Sequence, residues 1–185
     1  MKFRLITAAA LAGGLLLSIS GAEAAAPVMD GKRVKTINLK ANGGLQSYDK
    51  ESATLNGPEA VDCKPPRCTR VPFVYKPAKG VKGGLMFSIS WSNPASDFDL
   101  YVASVDAKGR NTEIASCAFM GTRSSKTYVA ASTLRSGRTY VAVIGHFRSI
   151  NDVATGKVEL TPKNSVPTTI PAKADDAVAP MNCQL

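Results

Sequence analysis

Short segments between residues 71 and 160 alternate apolar and polar side chains and are separated by turn-forming residues. Every second residue from Leu85 to Trp91 is apolar, which predicts a strand with one buried face. Related patterns predict further strands at 34–39, 71–75, 98–102, 113–117, 127–130, 139–144 and 157–160. Many short strands at this spacing predict a single all-β domain, an antiparallel two-sheet β-sandwich of jelly-roll type.

The amino terminus has the parts of a secretory signal peptide. Lys2 and Arg4 precede an apolar run over residues 6–17, and an Ala-Glu-Ala cleavage site ends at Ala24. The apolar run is shorter than the ~20 residues of a membrane-spanning helix. We therefore expect cleavage after residue 24 and a product secreted to the periplasm or the extracellular space, without membrane insertion.

The rest of the chain divides into three predicted parts. Residues 25–33 are small and polar and predict a flexible leader, and residues 34–161 hold the strands of the sandwich. Residues 162–185 are rich in Pro, Thr, Ala and Asp, a composition that predicts an extended tail. The stretch between the first two strands, residues 41–58, is polar and predicts irregular or edge structure.

The chain is basic, with 23 Lys and Arg against 14 Asp and Glu and a net charge of +9. Without residues 1–24 the charge is +8, since that segment carries two basic residues and one acidic residue. Lys64, Arg67 and Arg70 form a dense patch with further lysines up to residue 82. Such charge favours an anionic polysaccharide, matrix or envelope partner, or it serves solubility alone. Export argues against nucleic acid, and we expect a monomer.

Four cysteines in an exported chain predict disulfide bonds. Cys63 and Cys68 are close in sequence, and the Pro-Pro between them favours a turn. We therefore predict a Cys63–Cys68 bridge, and a Cys117–Cys183 bridge by elimination. A metal or redox site is the alternative, but the chain lacks a second cysteine pair at zinc-ligand spacing.

Three blocks of sequence resemble a known family. They are LMFSISWSNPASDFDLYV at 85–102, LRSGRTYVAVIG at 134–145 and GKVELT at 156–161. In this order they are similar to the bacterial pre-peptidase C-terminal domain, over residues 63–161. The resemblance implies an extracellular β-sandwich module. That module usually follows a secreted hydrolase, whereas only residues 34–62 and the leader precede it here.

Asp97 and Asp99 are two residues apart on a predicted strand, so both carboxylates lie on one face. With Asn93 they would offer oxygen ligands to calcium, which some related collagen-binding modules use. One acidic pair supplies fewer than the 6–8 oxygens that calcium takes. We therefore favour the alternative, in which Asp97 accepts hydrogen bonds of the turn and Asp99 faces solvent or a backbone amide.

Catalytic chemistry finds little support in the sequence. His146 is the single histidine of the chain, and no nucleophile-elbow or zinc-protease motif accompanies it. We expect it to be an exposed loop residue. The two aspartates are too close in sequence to be an opposing acid and base of a glycosidase. We therefore predict that the protein is not an enzyme and needs no cofactor.

Aromatic side chains offer a possible sugar-stacking surface. Trp91 is in phase with the apolar positions of its strand, so we place it in the core. Tyr101 lies on the face opposite Phe98 and Leu100, which makes it the candidate for exposure. With Tyr128 and Tyr140, however, these rings are better explained as core.

Taken together, these features predict a secreted, non-catalytic binding or accessory module that recognises an extracellular polymer or a cell-surface component. The main alternative is a structural or inhibitory envelope protein that acts through the CKPPRC loop or the tail. A hydrolase would need a clustered catalytic set, which the sequence does not show. An inhibitor would present CKPPRC as a rigid, protruding loop.

Overall fold

A computed structural model describes residues 25–47, 60–117 and 123–162, and in these ranges the fold is all-β. The predicted signal peptide, Cys183 and residues 163–185 of the predicted tail lie outside the described residues. The strands are β1 (Val28–Met29), β2 (Thr36–Ser47), β3 (Cys68–Tyr75), β4 (Gly83–Ser90), β5 (Asp97–Val105), β6 (Asn111–Cys117), β7 (Ser124–Val129) and β8 (Arg138–Pro162), and a 3-10 turn covers Ala60–Asp62.

The predicted segments overlap β2 to β8, but β1 was not predicted and lies in the segment expected to be a flexible leader, where Met29 is fully buried. One predicted division between strands is also wrong. The segments at 139–144 and 157–160 belong to one strand, β8, which is 25 residues long.

β2 extends through Ser47, into the stretch predicted as irregular or edge structure, and it pairs with β8 alone, as an edge strand does. The reason is long-range pairing, because β2 runs antiparallel to β8 from Thr36 to Ser47. Asn38, Lys40 and Asn42 of this strand are exposed, on the side away from the core.

β8 is the strand that joins the two halves of the fold. Its first half pairs with β3 on one edge and with β5 on the other. Its second half pairs with β2 and β4. Asn151 has a positive φ of 49°, and β2 carries irregularities on both sides of Gly44, opposite the same region. Irregularities of this kind bend strands, so β2 bends near Gly44 and β8 bends at Asn151, in the same region of their pairing.

The hydrogen bonds connect all strands into one open, mixed sheet of eight strands. β1 pairs with β3 in parallel, so the prediction of a wholly antiparallel arrangement is wrong at this edge. β6 and β7 complete the two halves by pairing with β5 and β4. The separation into two distinct sheets stays a prediction.

The main core takes its residues from both halves of the sheet. Phe73 and Tyr140, from the first half, lie with ring centroids 5.9 Å apart. Phe87 of β4, in the second half, lies 6.0 Å from Phe73. All three side chains are fully buried. Burial of a large aromatic side chain is worth roughly 1.5–3 kcal/mol, so this contact between the halves is a main source of stability.

A second, smaller apolar cluster lies on the other face of β5 and the first half of β8. Tyr101, Val141 and Val143 contribute from the strands, while Val61 and the two cysteines Cys63 and Cys68 contribute from the covering segment. Residues 61–68 therefore cover a sheet face that the alternating sequence pattern predicts to be exposed. The loop between Cys63 and Cys68 belongs to this covering segment.

Candidate functional site

The predicted Cys63–Cys68 disulfide is confirmed. It closes a loop, Lys64–Arg67, whose four residues are all exposed; we call these four residues the basic loop. The Arg67 amide donates a hydrogen bond to the Lys64 carbonyl at 3.0 Å. Cys117 is also disulfide-bonded, and its predicted partner lies outside the described residues.

Both ends of the basic loop are anchored to the sheet. Val61, just before it, is 1% exposed, and the backbone amide of His146 donates a 2.9 Å hydrogen bond to the Arg67 carbonyl. The Arg70 guanidinium donates to the Val61 carbonyl. Arg70 was predicted to bind a ligand at the surface, but it is half-buried and instead holds the covering segment in place. Lys64 and Arg67 are exposed, as a binding role requires.

Tyr101 is buried, so the prediction that it is exposed is wrong. Alternation correctly placed it on the face opposite Phe98 and Leu100, yet only 3% of its surface is accessible because residues 61–68 cover that face. Its hydroxyl donates a 3.2 Å hydrogen bond to Oδ2 of Asp99. Tyr101 therefore takes part in a buried polar contact and offers no sugar-stacking surface.

The carboxyl group of Asp99 lies in the same covered region. Asp99 was expected to face solvent or a backbone amide, but only 6% of it is exposed, and the hydrogen bond it accepts at Oδ2 comes from the Tyr101 hydroxyl. Burial, and secondarily the charge of Asp97, raises the pKa of Asp99 to about 7, although the Tyr101 hydrogen bond acts in the opposite direction. Burial also raises the pKa values of Asp97 and of Glu113 on the neighbouring strand.

The predicted calcium ligands are not arranged as a metal site. Asn93 Oδ1 accepts a 3.0 Å hydrogen bond from the Ala95 amide, and the Asn93 amide donates to Asp152 at 2.8 Å. Asn93 is thus used by its own turn and by β8. In the described part of the chain, no group of three or more His, Cys, Asp or Glu residues is placed to hold a metal ion.

Asp152 is a polar residue that the sequence analysis missed. Its carboxylate accepts hydrogen bonds from the Ser92 hydroxyl and from the amides of Asn93 and Val153, at 2.8–2.9 Å. Burial raises the pKa of Asp152, but the three hydrogen-bonding residues outweigh burial and hold the pKa below its ordinary value. The one hint in the sequence was the Asn-Asp pair at 151–152, since both residue types are common in turns and bends.

Replacing Asp152 with Ala is expected to lower the free energy of unfolding by about 2 kcal/mol, because hydrogen bonds to a charged group are lost together. Urea unfolding at neutral pH measures this loss. Asp62→Ala is the control, because it removes one acidic charge and a single exposed hydrogen bond from Asn111. Equal stability of the two variants would contradict a structural role for Asp152.

His146 is a core residue, so the prediction of an exposed loop histidine is wrong. It lies within β8 and is 2% exposed. Its Nε2 is 3.1 Å from the Thr69 hydroxyl, and its ring lies edge-on to Phe98 with centroids 5.6 Å apart. Burial lowers its pKa, and the Pro66 carbonyl offsets only part of this shift. The ring therefore favours its neutral form in the folded protein.

No protein-family model matches the chain, and no curated protein matches it either. In the described ranges, no helix has the length and apolar character needed to cross a membrane.

Proposed function

We propose that this protein is an exported, non-catalytic module that binds an anionic polymer of the cell envelope or the extracellular matrix. The observation that carries the proposal is the basic loop, which presents Lys64 and Arg67 to solvent on an anchored, disulfide-closed segment. A loop held in one conformation loses little conformational entropy when it binds. The net charge of +8 that remains without residues 1–24 attracts anionic partners to the protein as a whole.

The proposal retains the predicted signal peptide, secretion and the resemblance of residues 63–161 to the pre-peptidase C-terminal domain. It also retains the two-sheet sandwich, which the core shared by both halves of the sheet supports. A disulfide between Cys63 and Cys68 suits an oxidising compartment outside the cytoplasm.

Binding to a panel of polymers tests the proposal. We expect the protein to bind polygalacturonate and dextran sulfate at about 0.1 M salt and to lose most of this binding at about 1 M, because the Debye length falls from about 10 Å to about 3 Å. Neutral dextran should not bind. No binding to either acidic polymer at low salt would contradict the proposed function.

The basic loop is tested by the double variant Lys64→Ala/Arg67→Ala, measured against polygalacturonate by titration calorimetry. We expect a severalfold loss of affinity, since two charges at exposed contacts are removed. The control is Lys79→Ala/Lys108→Ala, which removes the same charge from two exposed turn positions. Equal losses in the two variants would show that the loop has no special part in binding.

A second candidate function is contact with a protein partner, as in an inhibitor. It is favoured by the same observation, because the basic loop is exposed and anchored at both ends, as such a role requires. Collagen and an acidic protein in the binding panel test it. Loss of protein binding in the loop variant, with polymer binding unchanged, would favour this candidate over the first.

A further inference from the structure

A second surface of the molecule has the composition of a binding site. It is the outward side of β2, the second half of β8, β4 and β7, turned away from the shared core. We call it the open face and define it by six residues with polar or charged side chains: Asn38, Lys40, Ser88, Lys126, Thr155 and Lys157. Neither β1 nor the 3-10 turn is packed on it in the way residues 61–68 cover the other half. Met86, at an outward position of β4 opposite Tyr128 and Glu159, is 5% exposed and lies beside these six residues.

The register brings these residues together from four strands. Lys157 is opposite Asn38 on one side and opposite Ser88 on the other. Ser88 is in turn opposite Lys126. A single row across the sheet therefore holds two lysines separated by Ser88, with their Cα atoms about 10 Å apart, or two strand spacings.

The next row supplies a third lysine. Lys40 is opposite Thr155, which is two residues from Lys157 along β8 and opposite Ser90 on the other side. Lys40 and Thr155 are exposed, and the side chain of Lys157 is 47% exposed. The three lysines thus form a triangle across strands that are far apart in sequence.

The charge of the open face is one-sided. At the outward positions of these four strands within the described residues, Glu159 is the one acidic side chain, and it pairs with Lys157 at 2.6 Å. An exposed pair of this kind contributes little free energy, so Lys157 can turn to an anionic ligand at small cost.

We propose that the open face is a second binding site, and that its ligand is an acidic polysaccharide lying across the strands. The lysines fit the carboxylate or sulfate groups of such a chain. Between them, the Ser88 and Thr155 hydroxyls and the Asn38 amide both donate and accept hydrogen bonds, as recognition of sugar hydroxyls requires. A polyphosphate would use the lysines but would leave these neutral groups without a role. This inference rests on the proposed function and assigns it a site and a ligand class.

The first test compares two triple variants of the full chain, using polygalacturonate as the probe. Lys40→Gln/Lys126→Gln/Lys157→Gln should bind about tenfold more weakly or worse, since three favourable contacts are lost. The control Lys32→Gln/Lys79→Gln/Lys108→Gln removes the same charge from exposed turns and should remain within about twofold of the original protein. Thermal unfolding of each variant, with the single Lys157→Gln as a milder form, verifies that the fold is retained.

The outcomes separate this inference from the proposed function. If the original protein binds but the two triple variants lose affinity equally, the open face is not the site, and the proposed function survives. If the original protein binds neither polygalacturonate nor dextran sulfate, both proposals fail.

The second test addresses the class of polymer. Asn38→Ala/Ser88→Ala keeps every charge, so it should bind polygalacturonate severalfold more weakly and linear polyphosphate unchanged. Equal effects on both polymers, or no effect on either, would mean that charge alone is recognised and would overturn the assignment to a polysaccharide.

Discussion

Replacing Asp99 with Asn is expected to raise the free energy of unfolding at pH 8 by up to about 4 kcal/mol. Asp99 is 6% exposed, and its pKa is raised from 3.8 to about 7, chiefly by burial and secondly by the charge of Asp97. At pH 8 the folded protein therefore holds a buried carboxylate whose ionisation is costly. Asn is neutral at every pH and still accepts the hydrogen bond from the Tyr101 hydroxyl.

The sign of the pH dependence follows from proton binding. Between about pH 4 and pH 7 the folded protein keeps a proton on Asp99 that the unfolded chain has released, so the free energy of unfolding falls as pH rises through this window. Asp97 and Glu113, whose pKa values are also raised, act in the same direction. His146, with a lowered pKa, acts in the opposite direction below about pH 6.5.

Urea unfolding of both proteins at pH 4.5, 6 and 8 isolates the contribution of Asp99, since the other groups are common to both. The increase in the free energy of unfolding of the Asn variant should be small at pH 4.5 and largest at pH 8. Asp97→Asn is the matched control, and it should give a smaller gain in the free energy of unfolding, because Asp97 is less buried than Asp99 and its own ionisation therefore costs less. A gain from Asp99→Asn that is the same at all three values would contradict a raised pKa.

Replacing Gly156 with Ala is expected to destabilise the fold by about 3 kcal/mol or more. Gly156 lies in β8 between Leu39 of β2 and Ile89 of β4. A Cβ atom at this position would lie 1.8 Å from the Ser88 carbonyl oxygen and 2.7 Å from the Ile89 Cα. These are backbone atoms within a paired strand, so no side-chain rotation relieves the overlap and β4 would have to move.

Gly145→Ala in the same strand is the matched control. There a Cβ would be 3.4 Å from a ring carbon of Tyr101 and 3.6 Å from the Asp99 Cβ, which are ordinary contacts. We expect it to remain within about 1 kcal/mol of the original protein. Urea midpoints and soluble yields of the two variants are compared. Similar midpoints would show that β4 adapts to the added methyl group.

Much of the local structure could be predicted from alternation, and the failures share one cause. The pattern from Leu85 to Trp91 located β4 and its buried face, and the short Cys63–Cys68 spacing predicted the disulfide. Tyr101 was assigned to the correct strand and face but to the wrong environment, because residues 61–68, distant in sequence, cover that face. His146 was assigned to an exposed loop, but it lies in β8 and is buried through contacts with other strands.

The candidate sites show the same division. Lys64 and Arg67 are close in sequence, so charge clustering alone found them. Lys40, Lys126 and Lys157 belong to three strands, and only the register of β2, β4 and β7 with β8 brings them to one face.

By itself, the sequence determined the approximate positions and inward faces of most strands, the Cys63–Cys68 bridge and the positive charge. These depend on neighbouring residues and on the two-residue repeat of an extended chain. The tertiary structure alone decided that β8 joins both halves, that Asp99 and Tyr101 are buried and that the open face gathers its lysines. These features depend on which segments, distant in sequence, pair with or cover one another. A local sequence pattern does not show which distant segments these are.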